Sequence, residues 1–456
     1  MAISSPGIGS GLDVNNIVSQ LVALERRPIE LLQAQKTKLD TQLSSYGLLQ
    51  SYMVNVQSAA SVLAKADFWT QTKAVSSAAD AVSVTSSATA SAASYRVEVS
   101  QLAQTHSLSS EAFAEGPTAI VGTGTLRIQV GESDVSIEIG EADQTLEGIR
   151  NKINGADAGV TVSIIRDAQG ARLVIAGIAS GTDNAITITA PVDDGGGLAA
   201  LTFSDPPAVG GMTERLAAQN AAFSINGLPL TSATNVLTDV IDGVSLTLAK
   251  AATGPIDITV GNDTGALRKG ITDFVAAYNE TNRYLAQQTK FDPASSTAGA
   301  LQGDRAAVSL QGKLRMLVQQ SSDASASFPY LSDMGLELQR DGSIKINETK
   351  LGAALANPVE LAKAFSTAAS GFGQRFKELA DGVVGTDGTL TSRATGLRDN
   401  ISRNEKDQQR YEDRVDRTRE RLLRQYSALD ASLNQLNGLG SFIEQQITNW
   451  NKSYDR

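Results

Sequence analysis

The chain has 456 residues, no cysteine, one histidine and a formal net charge of −10. The lack of cysteine excludes a disulfide framework and thiolate metal sites, and one histidine leaves little for a zinc site or for general-base catalysis. Between Tyr95 and Val260 stand 8 basic and 19 acidic residues, and a surface this acidic repels phosphate backbones, so nucleic acid is not an expected partner.

The start of the chain lacks the basic residues and the apolar run of a cleaved secretory signal peptide. No segment approaches the ~20 apolar residues needed to cross a membrane, so membrane insertion is not expected. We therefore predict either a cytosolic protein or one that leaves the cell without cleavage. The single histidine, His106, is expected to be a surface or half-buried residue.

The first predicted element follows a Gly- and Ser-rich segment, Met1–Gly11, which we expect to be disordered in isolation. Its glycines do not predict a dinucleotide loop, because no strand precedes them and their spacing is wrong. Asp13 is a suitable N-cap for a helix that begins at Val14. Pro28 is expected to interrupt that helix, with a hinge at Arg26–Arg27 and a second helix from Pro28 to about Ala66.

The second helix carries apolar residues spaced mainly by alternating threes and fours, which predicts a coiled-coil seam. The residues of this stripe are Leu32, Leu39, Leu43, Tyr46, Leu49, Met53, Val56, Ala60 and Leu63.

The middle of the chain reads mostly as short strands with a few short helices. Asn226–Gly227 follows a predicted strand and suits a two-residue hairpin turn. The Asp-, Gly- and Pro-rich segment 193–211 is expected to be a linker or a domain edge. From Gly265 the pattern returns to helices, with one small hairpin across Arg340–Gly342.

The last long helix is predicted to open near Thr395 and to end at Gly438 and Gly440. Ser441 to Glu444 then reads as a capping box that begins a separate short helix. Polar residues interrupt the first half of the long helix's seam, whereas the second half is rich in leucine. The seam residues are Leu397, Ile401, Asn404, Gln408, Tyr411, Val415, Thr418, Leu422, Tyr426, Leu429, Leu433 and Leu436.

The two terminal helices have similar predicted lengths, and one enters the middle region while the other leaves it, so we expect them to pair antiparallel. The predicted fold class is α+β and multidomain, with the terminal helices forming a coiled-coil stalk or leg and β-rich head domains inserted between them. The predicted domains are 1–70 (N-terminal disordered segment and leg helices), 71–118 with 219–265 (β-rich head domain), 119–218 (inserted outer β-rich head domain), 266–396 (mainly helical body of the leg) and 397–456 (C-terminal coiled-coil helix and docking tail).

Two helices alone leave apolar surface on the Leu-rich half of the last helix, so we predict that this surface is buried between molecules. The residues predicted for the oligomer or leg interface are Leu39, Leu43, Met53, Leu422, Tyr426, Leu429, Leu433 and Leu436.

Several stretches resemble one known family. The start, G-I-G-S-G-L-D-V-N-N-I-V-S-Q-L-V from Gly7 to Val22, resembles the N-terminal signature of the bacterial flagellar filament cap, the hook-associated protein 2 family. Further similar stretches follow in order along the whole chain. They are Tyr95–Ala103, Ile225–Gly227, Val240–Leu248, Phe274–Asn279, Leu301–Asp304, Met334–Ile346, Gln425–Asp430 and Leu436–Ile443.

The resemblance implies a secreted, extracellular protein at the tip of the bacterial flagellum, exported unfolded and without cleavage. It implies a homo-oligomeric cap, with a pentamer as the expected ring, that promotes flagellin folding and polymerisation and prevents monomer leakage. The implied partners are flagellin, the hook–filament junction proteins and an export chaperone, and no cofactor is implied. Both terminal segments would dock on the filament, through Gly9, Leu12, Val18, Leu21, Phe442, Ile443, Ile447 and Trp450.

Two other functions stay open from the sequence. The acidic head could act as an adhesin that binds host glycans such as mucin, and this role could coexist with capping. The chain could also be another secreted coiled-coil structural protein. An enzyme is the least favoured class. The chain has no cysteine, and its single histidine has no second histidine or nucleophile motif beside it with which to form a catalytic or metal site.

Overall fold

The computed structural model describes residues 13–454 apart from residues 88, 192–196, 207–209, 253 and 295–296, and for residues 450–454 it describes the helix without the side chains. The chain divides into two compact units. One is built from both ends of the chain, up to Trp69 and from Leu267 onward, and the other is the continuous segment Thr70–Ala266. Long helices in the first unit and separate small sheets in the second confirm the predicted α+β multidomain class.

The elements of the two units differ in kind: the long helices lie in the terminal unit, and most strands lie in the middle one. The helices are α1 Val14–Leu63, α2 Leu146–Asn154, α3 Thr264–Thr289, α4 Arg305–Gln319, α5 Glu348–Leu355, α6 Pro358–Ser366, α7 Phe372–Val384 and α8 Thr389–Tyr454. The strands are β1 Thr72–Ser76, β2 Val82–Ser86, β3 Ala93–Gln101, β4 Thr105–Ser109, β5 Gly124–Val130, β6 Ser133–Ile139, β7 Val160–Asp167, β8 Gly170–Ser180, β9 Ile186–Thr189, β10 Thr213–Leu216, β11 Ala221–Ile225, β12 Leu228–Ser232, β13 Val236–Ile241, β14 Val244–Leu248, β15 Ile256–Asn262, β16 Phe291–Asp292, β17 Thr297–Ala298, β18 Leu336–Leu338 and β19 Ile344–Ile346.

Helix α1 begins where the sequence predicts, because the Asp13 carboxylate accepts a hydrogen bond from the Asn16 N–H at 3.0 Å. The predicted hinge at Arg26–Arg27 is wrong, since α1 is one helix of 50 residues with Pro28 inside it. Proline lacks the N–H that would bond to the carbonyl of Leu24. Leu24 is 56% exposed, so water can take the place of that hydrogen bond.

Helix α8 is also longer than predicted, with 66 residues that begin at Thr389 rather than near Thr395. The predicted break at Gly438 and Gly440 and the capping box at Ser441 are wrong. The Ser441 hydroxyl instead donates to the Asn437 carbonyl at 2.9 Å, as serine does inside a helix. One glycine costs about 1 kcal/mol relative to alanine in a helix, far less than the ~3 kcal/mol of a proline, so the two glycines do not end α8.

The terminal unit has its core where α1 packs against α3–α8 and the small hairpin β18–β19. The second half of the predicted α1 stripe is fully buried there. Aromatic rings close the same core, with Trp69 stacked on Phe365 at 5.1 Å between ring centroids. The α1 residues with an exposed fraction of 0% are Tyr46, Leu49, Met53, Val56, Ala60 and Leu63.

The middle unit has two hydrophobic cores. One is lined by residues between 81 and 103 and between 221 and 260, and lies among the sheets β1-β15-β3-β11-β12 and β13-β14-β2. The other is lined by residues between 108 and 212, and involves the sheets β10-β4-β8-β7 and β6-β5-β9. The predicted head-domain boundaries remain a prediction.

The turn at Asn226–Gly227 is confirmed. It joins the antiparallel strands β11 and β12, with Ile225 paired to Leu228. The φ angles of Asn226 and Gly227 are 51° and 82°. A two-residue hairpin turn needs positive φ at both residues, because only then does its twist match the right-handed twist of the strands.

Two predictions in the middle unit need correction. His106 is not a surface or half-buried residue, because its exposed fraction is 2%. Its Nδ1 accepts from the Ile186 N–H at 2.8 Å, and its Nε2 therefore carries the proton that is donated to Glu214 Oε1 at 3.0 Å. The segment 193–211 is expected to be a linker or a domain edge, but Leu198 and Leu201 within it are fully buried in the core lined by residues between 108 and 212, so this part is not a linker.

Candidate functional site

The stalk, which we define as residues 14–43 of α1 with residues 397–426 of α8, is an antiparallel helix pair. Lys36 Nζ lies 3.3 Å from Glu405 Oε1, and Arg414 Nε lies 3.7 Å from Glu25 Oε2. Half-exposed ion pairs of this kind contribute about 0–1 kcal/mol, so they specify register more than stability. Continued along the helices, this register places Val14 near Tyr426, and α8 runs on to Tyr454.

The face of α1 that meets α8 follows a strict spacing of fours and threes, with Glu25 and Lys36 at two of its positions. Val18 and Ile29 are buried on this face, with exposed fractions of 2% and 4%. The ion pairs therefore belong to the seam rather than to its rim. The seam of α1 in the stalk is Val18, Val22, Glu25, Ile29, Leu32, Lys36, Leu39 and Leu43.

The stalk has a polar step at Asn404 and Gln408. Asn404 is buried, and its Oδ1 accepts a hydrogen bond from Gln408 Nε2 at 2.6 Å. Within the part of the chain that the structure describes, Asn404 Nδ2 has no hydrogen-bond partner. A buried polar group without a partner costs about 1–3 kcal/mol. The stalk is therefore weak at this step, although a polar core residue favours one register over others.

Replacing Asn404 with leucine is expected to raise the free energy of unfolding by about 1 kcal/mol or more, because the change removes an unpaired amide from an apolar seam. Thermal unfolding followed by circular dichroism at 222 nm would measure the gain. Gln409→Leu is the matched control, since Gln409 is exposed on the same helix. A loss of stability in Asn404→Leu would contradict the unpaired state of the amide.

The α8 end, which we define as residues 427–454, carries a line of exposed apolar side chains. Leu436, Phe442, Ile443 and Ile447 have exposed fractions of 63%, 56%, 49% and 50%. Because α8 does not break at its glycines, the spacing of threes and fours continues to the last turns of the helix. The seam of the α8 end is Leu429, Leu433, Leu436, Gly440, Ile443, Ile447 and Trp450, of which the Trp450 side chain lies outside the described residues.

The predicted oligomer-interface residues lie in different environments. Met53 is fully buried in the core of its own chain, so it is removed from the interface that we propose. Leu39 and Leu43 are half-buried against that same core. On α8, Leu429 and Leu436 are exposed, and the remaining predicted residues, Leu422, Tyr426 and Leu433, are half-buried.

The predicted docking residues of the N-terminal region also divide. Gly9 and Leu12 lie outside the described residues. Val18 is buried in the stalk, whereas Leu21 is 37% exposed. Of this set, Leu21 has a surface that another molecule can reach without opening the stalk.

Helix α1 has a second apolar face, formed by Leu21, Leu24 and Leu31, that the sequence did not lead us to predict. Leu24 and Leu31 are 56% and 73% exposed, and Leu24 lies three residues after Leu21 while Leu31 lies seven residues after Leu24. Each lies one residue before a position of the seam that meets α8, so the two faces are neighbours on the helix. The signal was present in the heptad spacing of Ile17, Leu21, Leu24, Pro28 and Leu31.

The Asp304 anchor, formed by Tyr46, Asp304 and Arg393, joins α1, the start of α4 and the start of α8. The Asp304 carboxylate accepts from the Tyr46 hydroxyl at 2.5 Å and from Arg393 Nη2 at 3.0 Å. It also caps α4 by accepting from the backbone N–H groups of Ala306 and Ala307 at 2.9 and 3.3 Å. One carboxylate therefore fixes both terminal helices to the body of the terminal unit.

The charges of the anchor shift its ionisation equilibria. Burial raises the pKa of Asp304, but hydrogen bonds from Tyr46, Ala307 and Arg393 outweigh burial and hold that pKa below its ordinary value. Burial first, and the nearby Asp304 carboxylate second, raise the pKa of Tyr46. Asp304 is therefore a carboxylate and Tyr46 a neutral donor at neutral pH. In the sequence, Asp304 is a residue type that caps a following helix, whereas nothing local points to its partners Tyr46 and Arg393.

The described residues contain no group of three or more histidine, aspartate or glutamate side chains placed to hold a metal ion. In this same part of the chain, no helix has the length and apolar character of a membrane span. The second face of α1 (Leu21, Leu24 and Leu31) and the α8 end carry the exposed large apolar side chains of the two terminal helices described above.

Two family models match the chain. The model described as flagellar hook-associated protein 2 N-terminus matches residues 10–106, and the model described as flagellar hook-associated protein 2 C-terminus matches residues 218–438. The A-type flagellar hook-associated protein 2 of Pseudomonas aeruginosa is 30% identical over 97% of this chain and 96% of its own length. The chain belongs to the flagellar hook-associated protein 2 family.

Other members of the flagellar hook-associated protein 2 family agree with this. The protein of that name from Escherichia coli K12 is 29% identical over 98% of both chains. A solved structure of the D1-D2-D3 domains of the Escherichia coli flagellar cap protein FliD covers 78% of this chain and 99% of its own, with 28% identity and a TM-score of 0.61. The function that these comparisons support is that of a flagellar cap protein, and they give the adhesin alternative no support.

Proposed function

We propose that this chain caps the distal end of the bacterial flagellar filament, where it promotes the folding and polymerisation of flagellin and prevents the escape of monomers. Membership of the flagellar hook-associated protein 2 family supports the proposal. The observation that carries the mechanism is the exposure of four seam residues of the α8 end in the single chain, namely Leu429, Leu436, Ile443 and Ile447. A line of exposed apolar side chains of this length is typical of a surface that another molecule covers.

The α8 end and the second face of α1 would dock on the filament or on the hook–filament junction proteins. Complete burial of a large apolar side chain contributes about 1.5–3 kcal/mol. Phe442, Ile443 and Ile447 are each about half exposed, so together they can supply several kcal/mol to docking. That is enough to hold a leg in place and small enough to let it release.

Release and rebinding are what a cap requires during growth. A ring of identical legs cannot match every site of a helical lattice equally, so one gap at a time is open. Flagellin would fold and join the filament at that gap. The polar step at Asn404 weakens the stalk and would let each leg adapt to its site.

The proposed assembly is a homo-oligomer with a pentamer as the expected ring. Flagellin, the junction proteins and an export chaperone are its proposed partners, and the proposed location is outside the cell at the flagellum tip. We also propose that the chain works by binding alone and catalyses no reaction. A hydrolase or transferase activity that survives purification and disappears on a point mutation would contradict this last proposal.

Complementation tests the cap function. A strain without this chain should release flagellin into the medium and form few filaments, and expression of the chain should restore both filaments and swimming. Electron microscopy of the purified protein should show plate-like rings. Restored swimming without the protein at filament tips, or monomers under all conditions, would contradict the proposal.

Leu429→Asp with Leu433→Asp is expected to weaken self-association, because the change places carboxylates without partners in an apolar seam. Sedimentation velocity should show the equilibrium shifted toward monomer by at least tenfold in dissociation constant, which corresponds to about 1.4 kcal/mol. Ala431→Asp with Gln435→Asp is the matched control, because it adds the same charge to exposed positions on the opposite side of α8. Equal oligomers in both double variants would exclude the seam from the interface.

A further inference from the structure

Strand β7 is the edge of its sheet, whose order is β10-β4-β8-β7. Its first six residues, Val160–Ile165, read V-T-V-S-I-I and carry no charge. An edge strand of uncharged and mostly β-branched residues is a template for pairing with a strand of another molecule. Ile165 on this strand is 55% exposed, so a pairing strand could contact an apolar side chain as well as backbone N–H and C=O groups.

The side chain of Asn154, at the end of α2, is bonded to this edge. Its Nδ2 donates to the Val162 carbonyl at 2.8 Å, and its Oδ1 accepts from the Val162 N–H at 2.7 Å. Alternate residues of a strand direct their backbone groups to opposite sides, so these are the groups of Val162 that face away from β8. A neighbouring strand would use the same pair of groups.

The same arrangement recurs on strand β19. The Asn279 side chain on α3 donates from Nδ2 to the Ile344 carbonyl at 2.8 Å and accepts from the Ile344 N–H at 2.7 Å. The side-chain amide of asparagine presents an N–H donor and a carbonyl acceptor side by side, so it can bond both backbone groups of one strand residue as a neighbouring strand would. Asn154 and Asn279 thus close two edges in the same way.

We propose that Asn154 keeps the edge of β7 from pairing with the same edge of a second copy of this chain. Two identical edges are complementary to each other in antiparallel orientation, because a twofold axis relates them and both offer the same row of donors and acceptors. The lack of charge over Val160–Ile165 means that no repulsion prevents their approach. The amide of Asn154 occupies the position at which such a pair would form its central bonds. The proposal does not depend on the cap function.

Asn154→Ala in the full chain tests the proposal, because it removes the amide and leaves the strand unchanged. Asn151→Ala is the matched control, since Asn151 is exposed on the same helix and its Oδ1 accepts from the neighbouring Arg150 at 3.1 Å. A third variant combines Asn154→Ala with Ile165→Lys, which adds a charge that disfavours edge pairing without restoring the amide. Sedimentation velocity, thioflavin T fluorescence and the melting temperature would be measured for all variants and the parent chain.

We expect Asn154→Ala to form species larger than the parent's own oligomer and to raise thioflavin T fluorescence at least fivefold, while Asn151→Ala behaves as the parent. Adding Ile165→Lys should return both readings to the parent's level although the melting temperature stays that of Asn154→Ala. Parent-like behaviour of Asn154→Ala would overturn the proposal. Equal aggregation with and without Ile165→Lys would also overturn it, because aggregation would then follow from unfolding rather than from an open edge.

Discussion

A chain that ends before Gly438 is expected to fold and to be exported but to dock poorly. The deletion removes Phe442, Ile443 and Ile447, each about half exposed, and little of their surface belongs to the core of the terminal unit. At ~1.5–3 kcal/mol for each large side chain that becomes buried, their loss should lower docking occupancy by orders of magnitude. Cells should release flagellin monomers and swim badly, while the melting temperature of the purified chain hardly changes.

The control for this deletion is Gln445→Ala with Gln446→Ala, which changes the α8 end on exposed polar positions and keeps its seam. Cells with this double variant should swim normally. Normal filaments made by the shortened chain would exclude the docking role of the α8 end. A collapsed melting temperature would show instead that the α8 end stabilises its own molecule.

Loss of the Asp304 carboxylate is expected to be the most destabilising single change among those considered. Asp304→Ala leaves the Tyr46 hydroxyl, the Arg393 guanidinium and the first turn of α4 without their shared acceptor. Leaving a buried polar group without its partner costs about 1–3 kcal/mol, and the buried Tyr46 hydroxyl and the first turn of α4 both lose theirs. Urea unfolding at pH 7 would measure the loss. Arg393→Ala should cost less, because Asp304 then keeps its hydrogen bonds from the Tyr46 hydroxyl and from the N–H groups of Ala306 and Ala307.

The Asp304 contribution should depend on pH. Its pKa is lower in the folded chain than in the unfolded chain, where an aspartate has a pKa of about 3.9. A carboxyl with a depressed pKa stabilises the fold fully above the unfolded value, and this stabilisation is lost as the pH falls through the folded value. The difference in unfolding free energy between the parent and Asp304→Ala should therefore be constant near neutral pH and shrink below about pH 4. A difference that grows in acid would contradict the ionised state of Asp304.

The buried stripe of the terminal helices can be predicted from the sequence, because apolar residues recur there at spacings of three and four over many turns. Tyr46, Leu49 and Met53 were placed on one stripe, and all three are fully buried. The hairpin at Asn226–Gly227 can be predicted for a different reason. The turn requires two adjacent residues with positive φ, and asparagine and glycine are the residues that adopt it most easily.

The helix breaks were misjudged because local penalties compete with interactions elsewhere. Proline costs about 3 kcal/mol inside a helix and glycine about 1 kcal/mol. Around Pro28, α1 recovers that loss by packing against α8, where Ile29 is 4% exposed. The contacts of His106, Asp304 and Asn154 could not be read in advance, because their partners are chosen by the tertiary fold and not by neighbouring residues.

Because the terminal unit is built from both ends of the chain, it cannot fold completely until the last helix is available. Lys36 and Glu405 meet in the stalk, although nearly the whole chain separates them in sequence. A chain that emerges with its N-terminus first releases α1 long before α8, whereas the unit Thr70–Ala266 is continuous and can fold as soon as it has emerged. Stalk closure is then the last step, and until it occurs both apolar faces of α1 are open to any other helix within reach. The order of arrival, rather than affinity alone, decides which helix α1 meets first.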